Sequence, residues 1–170
     1  MIAKFIRRFE EKIPAGLFRR LWNLYRPFRG AGISVKEISE DFLYIRVQMK
    51  MNWSNVNYVG THFGGSLYAM TDPFYMLILL KNLGRDFIVW DKGAKIKFVK
   101  PGTGTLNAEF RFSATEIEVI RQNCRQAENG KWVFEKAVQV LDEKGEVVTE
   151  VIKTLYVRMK NPPVKLSAPK

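Results

Sequence analysis

Residues 64–83 form the longest stretch of this chain that a single helix could span, and it is apolar on every side. Such a helix is stable in water only when other elements surround it. From Gly64 to Leu80 it carries one carboxylate or basic group, Asp72. Its most apolar part, residues 67–80, is shorter than the ~20 residues that cross a bilayer and contains Asp72 and Pro73. Burial inside the protein is therefore expected, and Gly84 closes the helix.

Strands supply the cover. Leu43, Ile45, Val47, Met49 and Met51 alternate with Tyr44, Arg46, Gln48 and Lys50, the period of a half-buried strand over residues 42–51. Residues 33–38 read as its hairpin partner across Ser39-Glu40-Asp41. Residues 88–90 and 94–99 read as a strand, with Ala94, Ile96 and Phe98 on one face and Lys95 and Lys97 on the other. Beyond the Pro101-Gly102 and Gly104 turn, Leu106, Ala108, Phe110 and Phe112 alternate with Asn107, Glu109 and Arg111. Thr115 is expected to open a short polar helix reaching about Glu128, with Glu118 completing a capping box. Strands at 131–141 and 146–159 follow, joined by Asp142-Glu143-Lys144-Gly145. Antiparallel strands need one covered face, so this order predicts an α+β domain over residues 31–160, a curled antiparallel sheet wrapped around one long central helix. Residues 161–170, with three prolines, read as a flexible tail.

The N-terminus is different in character. The 170-residue chain carries 28 Lys+Arg and 17 Asp+Glu, a formal net charge of +11. Residues 1–30 hold eight basic and two acidic residues, more than half of that excess. Ile2, Phe5, Ile6, Phe9 and Ile13, then Leu17, Leu21, Leu24, Tyr25 and Phe28, fall at helical spacing, interrupted by Pro14, Pro27 and Gly30. Residues 1–30 thus read as a basic amphipathic helical extension, either packed on the body or lying on an anionic membrane surface. Charges break every apolar run before a secretory signal could form, which predicts a cytoplasmic protein. The single Cys124 excludes a disulfide scaffold. Absent nucleotide-binding loops and zinc-ligand spacings, no cofactor or metal is expected, and the basic excess comes with no recognisable nucleic-acid module.

The chemistry concentrates in residues 57–72. Adjacent Gly64 and Gly65 at a helix start permit close approach of a ligand, and the free N–H groups of that turn can polarise a carbonyl. A carboxylate embedded in an apolar helix suits a general base. Asp72-Pro73 equally reads as a helix cap followed by proline, restarting the helix after a kink.

Asn57, Gly60, Thr61, Gly64, Gly65 and Asp72 resemble the pattern N-x-x-G-T-x-H-G-G-x-x-x-x-x-x-D of hotdog-fold acyl-CoA thioesterases. Ile96-Lys97-Phe98-Val99-Lys100-Pro101, with Gly104 beyond, is similar to their I-x-F-x-[KR]-P strand end. The G-T-x-F-G-G-S run and Trp90-Asp91-Lys92 are closer to an uncharacterised, tetrameric thioesterase-like subfamily. The resemblance spans about residues 33–159. It implies a hotdog fold and thioester hydrolysis, with Asp72 as general base or nucleophile. The N–H of Gly65, and that of Gly64, would polarise the carbonyl, and Asn57 would orient the water or the carboxylate. It also implies a site between two subunits, hence a homodimer or a homotetramer built from two dimers. The motif histidine is Phe63 here, and His62, the only histidine, sits one place earlier, turned toward the site or away from it. A hotdog protein that binds an acyl group without hydrolysing it is the alternative.

Lys97 and Lys100, with Lys92 and Lys95, are candidates for the phosphates of coenzyme A, or simply the wet face of a strand. Phe63 and Tyr68 are candidate substrate contacts, while Met70, Met76, Phe74 and Tyr75 line an acyl pocket or fill the core. Asp91 either pairs with Lys92 or shapes the site. Cys124 is not expected to be a nucleophile.

Overall fold

A computed structural model describes residues 13–162. The helix expected over residues 2–12 and the tail beyond residue 162 lie outside them. Six strands build one sheet: β1 (Ile33–Ile38), β2 (Tyr44–Lys50), β3 (Phe87–Phe98), β4 (Thr105–Arg111), β5 (Lys131–Leu141) and β6 (Val147–Met159). Their order is β1-β2-β4-β5-β6-β3, and every neighbouring pair is antiparallel. The alternation in sequence is the cause. Val35, Ile45, Val47, Met49, Leu106, Ala108 and Phe110 point to one face and are essentially fully buried there.

That face wraps the apolar segment, in the hotdog arrangement the motif resemblance implies. The segment is not one helix, however. It splits into α3 (Gly64–Ala69) and α4 (Phe74–Leu83), after the N-terminal α1 (Ala15–Trp22) and α2 (Arg26–Gly30). Met70 N makes the last full helical bond, to Ser66 O; Thr71 and Asp72 bond only three residues back, Pro73 has no N–H to donate, and helical bonding restarts with Leu77 N donating to Pro73 O. Pro73 itself holds the cap position of α4, with no side-chain cap bond. Asp72 therefore does not cap the restarted helix, and its carboxylate is spent elsewhere. Phe74, Ile78 and Leu79 of α4 are buried, and Phe74 stacks against Phe28 at 5.6 Å and Phe110 at 5.0 Å. Each such side chain contributes roughly 1.5–3 kcal/mol by leaving water.

The N-terminal helices dock by a different face from the one their leucines mark. Phe18 and Phe28 are buried, with Trp22 between them at 6.1 and 5.5 Å. Leu17, Leu21, Leu24 and Tyr25 remain 47–65 % exposed. Two apolar faces compete on this segment, and the one whose rings interlock with Phe74 wins. Between α1 and α2, Asn23 donates from Nδ2 to Val35 O (3.0 Å) and accepts from Val35 N (2.7 Å). The polar helix α5 (Ala114–Gln126) begins earlier than expected, because Ser113 rather than Thr115 caps it. Ser113 Oγ accepts from Glu116 N, and the Glu116 carboxylate accepts from Ser113 N. That phase puts Ile117, Ile120 and Cys124 inward.

Candidate active site

The loop before α3 is held by its own side chains. Asn55 is buried, accepts from Asn52 N (2.8 Å) and donates to Ala31 O and Lys50 O (2.8 Å each). Gly32, at φ +71°, leaves no room for a side chain beside it. Asn57 donates to Thr61 Oγ1 (2.8 Å) and His62 O (3.3 Å) and accepts from Val59 N and Thr61 N. All four bonds close its own turn, and none reaches Asp72 of the same chain. His62 is buried, with Nε2 3.0 Å from Gly104 O, while its backbone N donates to Gly102 O. Burial lowers the His62 pKa and favours the neutral ring. Within the chain His62 latches the loop to the β3–β4 turn.

At the start of α3, the N–H groups of Gly64 and Gly65 have no acceptor within the helix. A Cβ on Gly64 would lie 3.1 Å from the Phe98 ring, and one on Gly65 would run into the ring of Phe63. Both rings are exposed, so two phenyl groups flank the bare helix start.

The carboxylate end of the segment holds a charged cluster. Lys153, on β6, is only 1 % exposed. Its Nζ donates to Asp72 Oδ1 (3.1 Å) and to the Tyr68 hydroxyl (3.2 Å), and lies 2.8 Å from Asp91 Oδ2. The last contact is an ion pair without hydrogen-bond direction. A bulge in β3 puts Asp91 there. Asp91 is opposite inward Leu155 and Ala94 is opposite inward Lys153, so the extra residue between them keeps both on one side of the sheet, with Asp91 largely buried and Ala94 exposed. Burial pushes the Asp91 carboxyl up to about 6; the Asp72 charge adds to the rise and Lys153 opposes it. Burial alone would lower the Lys153 ammonium, but its close pairing with Asp91 and the two carboxylate charges raise it above the ordinary lysine value. The Asp72 side chain is 45 % exposed, so the charged groups of the cluster reach from the core to solvent through it, beside the exposed Tyr68.

The family model of a domain of unknown function, DUF4442, matches residues 15–157. The chain belongs to the DUF4442 family. No curated protein matches the sequence. Solved structures do share the fold. A Pseudomonas aeruginosa protein of unknown function, named a probable thioesterase, is 24% identical with a TM-score of 0.74, over 86% of this chain and 97% of that one. A Haemophilus influenzae thioesterase is 15% identical with a TM-score of 0.63, covering 87% and 92% of the two chains. The E. coli PaaI protein of the phenylacetic acid degradation operon is 14% identical with a TM-score of 0.56, covering 86% and 92%.

The other sequence-predicted residues of this DUF4442 protein divide clearly. Tyr68 is in the cluster; Phe63 flanks the helix start. Lys97 is exposed, 3.9 Å from Glu150. Lys100 is engaged by Asp142 (2.7 Å) and by Glu146, which together raise its pKa. Met70, Phe74 and Tyr75 are core, the last donating its hydroxyl proton to Ala137 O. Cys124 is buried and its thiol is pushed up to about 11, which leaves it unreactive. Asp91 pairs with Lys153 rather than its neighbour Lys92. Lys153 was missed by sequence reasoning, although a signal existed: it occupies the buried phase of Val151, Leu155 and Val157. Among the described residues no three His, Cys, Asp or Glu side chains cluster as metal ligands, and no helix is long and apolar enough to cross a membrane.

Proposed function

We propose that this DUF4442 protein hydrolyses an acyl thioester, an acyl-CoA, in a site formed between two copies of the chain. The observation that carries the reading is Asp72: a half-exposed carboxylate, at the break between two apolar helices, anchored through one oxygen by a buried ammonium. Asp72 takes a proton from water, and the resulting hydroxide attacks the thioester carbon. The N–H groups of Gly65 and Gly64 receive the developing oxyanion. When the C–S bond breaks, the proton passes to the thiolate and the acid is released. Asn57, spent within its own turn, contributes by fixing the loop that presents Gly64 and Gly65. His62 acts the same way. Phe63 and Tyr68 contact the acyl chain, and exposed Lys97 meets the coenzyme A phosphates; Lys100, held by its carboxylates, is a weaker candidate.

Two features support assembly from two copies. The twelve-residue strand β3 lies at the sheet edge with one side unpaired. The loop around Trp53, Tyr58 and Val59 exposes its apolar side chains to a degree uncommon on a monomer surface. A homodimer, or two dimers forming a homotetramer, would cover both. A panel of acyl-CoA chain lengths, read by thiol release, tests the chemistry. Asp72→Asn is expected to cut kcat by about a hundredfold or more; equal rates in the two proteins would remove Asp72 from the mechanism.

A second reading is favoured by the outer face of α1 and α2, where exposed Leu17, Leu21, Leu24 and Tyr25 lie among Arg20, Arg26 and Arg29. It is a cytoplasmic protein that binds acyl chains without turnover and touches an anionic membrane through residues 1–30. Wild type should pellet with anionic vesicles and Leu21→Glu should not. Identical pelleting of both would rule the contact out.

A further inference from the structure

We propose that Lys153 is a positioning residue for Asp72: its ammonium fixes one Asp72 carboxylate oxygen and offsets the neighbouring Asp91 charge in the core, while the other Asp72 oxygen serves the substrate. The inference rests on the hydrolytic reading and adds to it a residue from a distant strand that no motif contains.

The geometry carries it. A lysine with 1 % exposure sits on the inner face of β6 among Val151, Leu155 and Val157, where an apolar side chain would be the ordinary occupant. It contacts three polar groups, all from elements of the candidate site: Asp72 after α3, Tyr68 on α3 and Asp91 on β3. The Tyr68 ring lies 4.9 Å from the ammonium, closing it from solvent. Removing such a charge from water is costly, and a buried pair adds little net stability compared with an apolar packing. Asp91 Oδ1 is also buried, with no hydrogen-bond donor among the described residues. An arrangement this costly in a core is explained by what it does to the carboxylate that reaches solvent, Asp72.

The charges dictate the response to pH. Facing Asp91 are Lys153 from β6, Asp72 from the turn before α4, and Tyr68 from α3. The next lysine across the sheet, Lys136, is the register partner of Lys153, but its Nζ is held by Glu116 Oε1 at 2.5 Å, over the Phe112 ring. It therefore serves a different carboxylate. Without Lys153, two carboxylates would face each other unneutralised and share a proton, so the pair would supply a base only at higher pH. Without the Asp91 charge, the ammonium would act on Asp72 alone, with no second carboxylate to compete for it.

The test is the pH profile of kcat/KM for wild type, Lys153→Met, the near-isosteric Asp91→Asn, and Asp72→Asn as the reference. The acid limb is expected to move up by about one pH unit or more in Lys153→Met and down in Asp91→Asn. Loss of activity with an unmoved limb in both variants would make Lys153 merely structural and overturn the proposal. Carbon-13 carboxyl NMR titrations of the same proteins separate this from the hydrolytic reading. If wild type cleaves no thioester, the reaction is wrong, yet the Asp72 titration must still rise in Lys153→Met and fall in Asp91→Asn. An unmoved Asp72 titration sinks the proposal whatever the activity.

Discussion

The two halves of the sheet treat the same central segment in opposite ways. Where β1, β2 and β4 face it, the inner positions are entirely apolar: Ile45, Val47, Met49, Leu106 and Phe110 have essentially no exposed surface. Where β5, β6 and β3 face it, the inner row includes Lys136, Lys153 and Asp91, and toward the end of β3 Ala94 and Phe98 stay exposed. The first half holds the fold by burial. The second gives up part of that gain to keep charges in the core and an apolar surface open beside the helix start. The difference puts the charged cluster and the open apolar surface in the same half of the molecule.

The comparison can be broken most severely in the apolar half. Phe110→Ala, which removes a ring stacked on both Phe74 and Tyr75, should cost about 3–5 kcal/mol in urea unfolding. A cost below about 1 kcal/mol would mean that the charged half also carries the fold. In that second half the cost should depend on pH. A folded carboxyl with a raised pKa, as for Asp91, loses stability as pH climbs from its unfolded value near 3.8 through about 6. Lys153→Met removes the opposing charge, so the decline should deepen and extend to higher pH. The variant should be markedly less stable at pH 8 than at pH 5, relative to wild type at each. An equal deficit at both would show that packing, not charge, accounts for the lysine.

The smallest effect belongs to His62, at the junction of the two halves. Its pKa is lowered, so the folded protein resists protonation, and stability should fall as pH drops from about 6.5 toward the folded value. Asp91 slopes the opposite way in part of this range, so His62→Gln must be compared with wild type point by point. The difference between the curves isolates the histidine, and parallel curves would remove it from the acid response.

Strand phases were legible because a half-buried sheet needs period-two alternation, and β1 through β6 follow it within a residue or two. Lengths and turns were legible for the same reason. Three other features depended on competition between local solutions. Ser113-x-x-Glu116 and Thr115-x-x-Glu118 are both capping boxes on paper, and the phase that buries Ile117 and Ile120 chose the first. The leucines of α1 announced an inner face, yet the ring stack of Phe18, Trp22 and Phe28 took that role. Asp72 was readable as a candidate from its isolation in an apolar run. Its partners were not, since Lys153 and Asp91 come from strands far along the chain and depend on a bulge that no local pattern marks.

One contact between the N-terminal helices and the sheet limits how such molecules can assemble. The Asn23 amide gives Val35 both backbone bonds that another strand would otherwise supply. One border of the sheet is therefore occupied at that point, while β3 leaves the other open. Copies joined along β3 would use up the open border of each, and the combined sheet would then end in Asn23 on both sides. Growth by strand addition would stop at two, and filaments would be avoided.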